Sequence, residues 1–174
     1  MATVPTSSGP TPAEALVHAP GLLLAQRLAL GVPALLIAGA YISEYAFGLY
    51  PCEMCWWQRY GHFAAVGLAL LSTTVGTRAA AVLVALSGLA IMVSGMIGAF
   101  HAGVEYGWWQ GITACGNPVA GGSDPLAAIM NAPLVRCDAA PWTLAGVSLA
   151  GWNALVSTVT GLAIFRLLGL RQPD

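Results

Sequence analysis

The chain has 174 residues, of which 57% are hydrophobic and only 7% charged, and its net charge is -1 at pH 7. Soluble domains average about a quarter charged residues, so this chain has too little polar material to coat a water-soluble globule, and most of its surface must face lipid. The weak net charge also excludes a nucleic-acid partner, because phosphate binding demands a basic patch.

Residues 1–20 are rich in Pro, Ser, Thr and Ala without periodicity and predict a disordered tail. The first apolar run covers 21–47, with Arg27 near its start and Pro33 inside, which a kinked membrane helix tolerates. A cleavable signal peptide, with Ala38-Gly39-Ala40 as its small-residue site, is the competing reading. The run continues to Phe47, however, and its basic residue lies far from Met1. Further runs cover 56–75, 79–103 and 142–168. Each reaches the roughly 20 residues needed to cross the hydrocarbon core.

The expected fold is therefore an all-α membrane protein, a bundle of four transmembrane helices forming one domain over 21–171. Its longer loops cover 48–55 and 104–141. In the second of these, Ser123-Asp124-Pro125 reads as a capped helix start before Leu126 to Met130. That segment is too short to span and predicts a helix lying on the membrane surface, or an ordinary loop helix packed on its neighbours. Arg27, Arg78, Arg166 and Arg171 fall on one side of a four-span topology, and only Arg59 and Arg136 on the other. The positive-inside rule then puts both termini in the cytoplasm and both longer loops in the periplasm.

All four cysteines lie in those two loops. Cys52 and Cys55 sit two residues apart where one apolar run ends and the next begins. Such a pair can close a strained disulfide or open to a dithiol, although a structural disulfide or half of a zinc site has the same spacing. Arg59 follows Cys55 by four residues, one turn on along the same helix face. There it can favour a thiolate or an anionic electron acceptor. Cys115 and Cys137 lie in a Gly/Pro-rich linker that can approach and retreat. Four extracytoplasmic cysteines in two pairs suggest a relay, and a pair pinned at the membrane surface can pass electrons to a lipid-soluble quinone. Trp56, Trp57 and Trp142 can flank such a ring, or serve as interface belt residues.

Cys52-x-x-Cys55-x-x-x-Arg59, followed by Cys115, Cys137 and Trp142, resembles the DsbB family of disulfide bond formation proteins. The segments His101 to Trp109 and Trp142 to Asn153 resemble a subset of that family, so the likeness covers about 50–153. It implies a protein of the bacterial inner membrane that reoxidises a periplasmic, thioredoxin-fold partner of the DsbA kind. By this resemblance the partner's thiolate attacks Cys115 of a Cys115–Cys137 disulfide, and Cys137 passes electrons to the Cys52–Cys55 pair. Cys55 would lie beside the quinone, ubiquinone or menaquinone drawn from the respiratory pool. Arg59 would polarise the ring, with His101 and Trp142 beside it. No metal is expected. The linker between Cys115 and Cys137 is somewhat shorter than in the best-known members, which bears on how the partner docks.

Four rival readings remain at this stage. His62 and His101 lie at the same depth on different helices and could bracket a haem, though not of the c type, since Trp56 follows Cys55. The bundle could be a scaffold braced by disulfides, or the four cysteines could bind zinc. A vitamin K epoxide reductase-like protein has a similar bundle, but its quinone-side cysteine pair is expected on the last helix. Glu44 and Glu53 are read as solvated, and His62 as packed in the bundle.

Overall fold

The computed structural model describes residues 12–113 and 135–169, with side chains from residue 21 onward. Cys115, Arg171 and the expected helix near 123–130 lie outside the described residues. Among the described residues there are four helices, α1 (Pro12–Phe47), α2 (Glu53–Ser72), α3 (Thr77–Glu105) and α4 (Leu149–Leu167), the last preceded by a hairpin of β1 (Thr143–Leu144) and β2 (Val147–Ser148). α3 packs against both α2 and α4, and α1 lies against α2 and α4. Two helical stretches, Gly21–Phe47 and Thr77–Glu105, are long and apolar enough to cross a membrane.

The bundle is inverted relative to a water-soluble one. Its buried core consists largely of small or polar side chains: Ala25, Ala29, Ala65 and Ala69, with Ser87, Ser94 and Ser157. Large apolar side chains point outward, among them Leu35, Met96, Val159 and Leu162. Lipid tails are as apolar as leucine, so helices in a bilayer gain more by close approach and interhelical hydrogen bonds than by hiding leucine. Close approach is visible at Gly61, where a Cβ would meet Ser94 Cβ at 2.9 Å, and at Gly95, where it would meet Ser157 Cβ at 2.9 Å. The buried hydroxyls add interhelical bonds, Ser87 Oγ to Ala65 O (2.9 Å) and Ser94 Oγ to Gln58 O (2.9 Å).

Three boundaries differ from the sequence expectation. α1 begins at Pro12, so part of the expected disordered tail is helical. α2 begins at Glu53 because Cys52 caps it, accepting from Cys55 N at 3.4 Å, which places Cys55 in the first turn of the helix and not in the loop. α4 begins at Leu149, not near 142, because Ala145 and Gly146 turn the chain at positive φ (53° and 77°) into the hairpin. Ser148 then caps α4, accepting from Gly151 N at 3.1 Å. The hairpin is tied to the end of α3 by the Tyr106 hydroxyl, which donates to Gly146 O (3.1 Å) and accepts from Ser148 N (2.9 Å).

Candidate active site

α1 ends at Phe47, followed by Gly48 at a φ of 68° that suits glycine, and the chain turns through Pro51 to deliver Cys52 to the head of α2. The Cys52 thiol donates to Cys55 Sγ at 3.1 Å, so the pair is a dithiol with its sulfurs in contact. Cys52, which precedes α2, is pushed up to about 12 by that hydrogen bond and by burial. It is therefore the sulfur that keeps its proton. Cys55 lies in the first turn of α2, near the positive end of the helix dipole, and Arg59 follows one turn later, a second source of positive potential.

The pair opens onto a cavity of about 270 Å³. It is lined by apolar residues of α1, among them Leu35, Leu36 and Ile37, and by Leu49 and Tyr50. Its polar lining includes Cys52, Cys55, Gln58, Arg59, His62, His101, Glu105 and Asn153. An apolar slot with a few convergent polar groups is the usual form of a small-molecule site.

Arg59 is largely buried and fully engaged on one side. It donates to Glu44 Oε2 at 2.6 Å and to Ala40 O at 3.2 Å, and its guanidinium lies 4.8 Å and 4.9 Å from the ring centroids of Tyr41 and Trp56. A guanidinium carries five N–H donors, so others are left for a ligand. Glu44 is not a solvated interface residue: its side chain is 13% exposed and paired with Arg59. The signal was present in the sequence, since an acidic residue inside an apolar helix is costly unless paired or functional.

His101 is buried at 2% exposure. Its Nε2 lies 3.6 Å from Cys52 Sγ and 3.7 Å from Glu105 Oε1, and its Nδ1 lies 3.0 Å from Gln58 Nε2. Glu105 Oε2 is buried with no partner among the described residues, leaving an acceptor for a ligand or water at this end of the cavity. His62 is also buried, with Nε2 at 2.8 Å from Asn153 Oδ1. That bond occupies the nitrogen a haem iron would most readily take. Gln58 and Asn153 were not singled out in the sequence, although polar side chains within apolar runs on α2 and α4 were the available clue.

The second cysteine pair is only half described. Cys137 is 1% exposed and packs in one buried cluster with Cys52, Met54 and Val104, against Cys55 and Phe100. The chain thus returns from the long linker into the buried cluster that also holds Cys52. Thr113 Oγ1 reaches Cys137 Sγ at 3.6 Å, so both arms of the linker converge there. Beside it Arg136 and Asp138 form an exposed two-pronged pair, 2.9 Å on each prong, and the hydrogen bonds from Arg136 hold the Asp138 carboxyl below its usual range. Trp142 stands apart. It is 44% exposed and does not line the cavity, whereas Trp152 does. The sulfurs of Cys52 and Cys55 and a nitrogen of His101 all lie within 4.8 Å of one another, a spacing that could hold a metal ion.

Comparison with known proteins fits this arrangement. The family model described as Disulfide bond formation protein DsbB matches residues 24–167. The chain is 32% identical over 150 residues to Disulfide bond formation protein B of Verminephrobacter eiseniae, covering 81% of this chain and 82% of that one. It is 30% identical over 161 residues to the protein of that name from Polaromonas naphthalenivorans (88% and 93% covered), and 34% identical over 149 residues to that from Azoarcus sp. (79% and 87% covered). No solved structure shows comparable similarity. With a match over nearly all the described helices and a dithiol at the head of α2, the chain belongs to the DsbB family of disulfide bond formation proteins.

Proposed function

We propose that this protein reoxidises a periplasmic, thioredoxin-fold dithiol oxidase of the DsbA kind and passes the electrons through its two cysteine pairs to a membrane quinone. It does so as a four-span protein of the inner membrane with cytoplasmic termini and periplasmic cysteines. The observation that carries this reading is the cavity itself, lined by a dithiol, a guanidinium and an imidazole together with apolar residues of α1. An isoprenoid quinone has the matching form, an apolar ring with two carbonyl acceptors.

Electrons enter at Cys115. The partner's thiolate attacks Cys115 of the Cys115–Cys137 disulfide, forming a mixed disulfide and releasing Cys137 as thiolate. The partner's second thiolate resolves that bond, leaving the partner oxidised and Cys115 and Cys137 reduced. Cys137, packed beside Cys52, attacks the Cys52–Cys55 disulfide. Cys115 then attacks the Cys137 sulfur of the new mixed disulfide and displaces the sulfur of the Cys52–Cys55 pair, which restores the loop disulfide and leaves Cys52 and Cys55 as the dithiol. A bound quinone accepts two electrons and two protons and leaves as quinol, while the dithiol closes to a disulfide.

This chain's residues bind and orient for that last exchange. Arg59 offers its remaining N–H groups to a ring carbonyl, and its planar fork is held by Glu44 and Ala40. Cys55 supplies the reacting sulfur while Cys52 retains its proton. His101 stands at Cys52 Sγ, able to hold or move a proton there.

The test is to purify the protein in mild detergent, extract its isoprenoids and measure quinone-dependent closure of Cys52–Cys55. Bound quinone and a disulfide that forms only when quinone is added are expected. Absence of both overturns the reading.

A further inference from the structure

Polar side chains from three helices form one continuous row through the bundle. Ser157 Oγ donates to Asn153 Oδ1 (2.9 Å), Asn153 Nδ2 donates to Gln58 Oε1 (2.8 Å), and Gln58 Nε2 meets His101 Nδ1 (3.0 Å). Besides their bond to each other, each amide has its orientation set by a backbone oxygen. Asn153 Nδ2 also reaches the backbone oxygen of Ser94 (3.2 Å), and Gln58 Nε2 that of Met54 (3.1 Å). A carbonyl oxygen only accepts, so the nitrogen end of each amide must face it.

Gln58 therefore points an N–H at His101 Nδ1. That nitrogen must accept, and in the neutral ring the proton then resides on Nε2. We propose that Gln58 and Asn153 are positioning residues that fix His101 as its Nε2–H tautomer, so that the ring presents a donor, not a lone pair, to Cys52 Sγ and the cavity.

Two consequences follow. The first rests on the reading of the cavity as a quinone site: His101 holds a hydrogen where the Cys52–Cys55 pair exchanges its electrons. The second is independent of that reading. Two thiols and an imidazole within 4.8 Å make a natural trap for zinc. A histidine ligand, however, needs a bare nitrogen toward the metal and usually donates its other N–H to a carboxylate or carbonyl. Here the row imposes the opposite polarity on His101. The reduced dithiol is thereby guarded against capture of a thiophilic cation.

The experiment uses the full chain in nanodiscs, reduced and without added quinone, labelled with ¹⁵N-histidine, the His101 signals being assigned by their loss in His101→Gln. The wild type should show a proton-bearing Nε2 and a bare Nδ1. Gln58→Glu, nearly isosteric, places an acceptor-only group against Nδ1 and should move the proton there. The same variant should bind Zn²⁺ about ten- to a hundredfold more tightly than the wild type, the range by which such outer partners alter metal affinity. Gln58→Leu, which neither donates nor accepts, should show both tautomers. A wild-type ring with its proton on Nδ1, or a Gln58→Glu protein with unchanged tautomer and zinc affinity, overturns the proposal. Because no step uses quinone, these outcomes leave the quinone reading to its own test, and the wild-type spectrum decides even if a variant fails to fold.

Discussion

Leucine substitutions at Arg59 and Glu44, singly and together, separate what Arg59 does for the fold from what it does for the quinone. The two side chains are 7% and 13% exposed and meet at 2.6 Å. Removing either one alone leaves the other charge buried without compensation, which costs about 3–5 kcal/mol. Replacing both removes both desolvation costs, and such exchanges are commonly neutral or stabilising. On the proposed reading, loss of Arg59 also removes a charge-assisted hydrogen bond to a quinone carbonyl, worth about 1.5–3 kcal/mol, or roughly tenfold to 150-fold in affinity. Thermal unfolding in detergent should show Arg59→Leu and Glu44→Leu destabilised and the double variant restored. Steady-state oxidation of the partner across a quinone titration should show a raised apparent KM in Arg59→Leu and, undiminished, in the double variant. Single-turnover trapping of the mixed disulfide at Cys115 should be unaffected in all three. If the double variant regains wild-type quinone dependence along with its stability, Arg59 serves the fold alone and the placement of the quinone loses its main support.

Cys115→Ala should abolish turnover with the partner while quinone still closes Cys52–Cys55; oxidation of a DsbA-like protein at the wild-type rate would put electron entry elsewhere. Orientation is best tested at exposed positions, since Cys52 and Cys137 are buried. In a cysteine-free background an impermeant maleimide should label Trp108→Cys in intact cells and Thr74→Cys only after lysis, and the reverse pattern would invert the topology. Gly98→Ala would bring a methyl within 2.8 Å of Ala150 O, 3.0 Å of Asn153 Nδ2 and 3.1 Å of Gln58 Oε1. It should destabilise the protein by about 1–3 kcal/mol and disturb the His101 tautomer, whereas Gly67→Ala, with nothing near its Cβ, should do neither.

The cysteine spacing, Arg59 and the apolar runs were legible in the amino-acid sequence because each is a local property. A run of some 20 apolar residues commits to helix in lipid, where every backbone group must be bonded internally. A cysteine pair two residues apart is near itself in any fold. Helix ends were less legible. The head of α2 was misplaced by three residues because a cysteine acted as its cap, and that of α4 by seven because a two-residue turn formed a hairpin where a continuous apolar run was expected. What no local pattern contains is partnership across the bundle. That Glu44 answers Arg59, that Cys137 returns to Cys52, and that Asn153 orients His101 through Gln58 depend on which helix faces pack together. Composition determined that this chain would be helical and lie in lipid. Only the tertiary packing decided which buried polar groups meet, because each must find a partner inside the bundle and the partner lies on another helix.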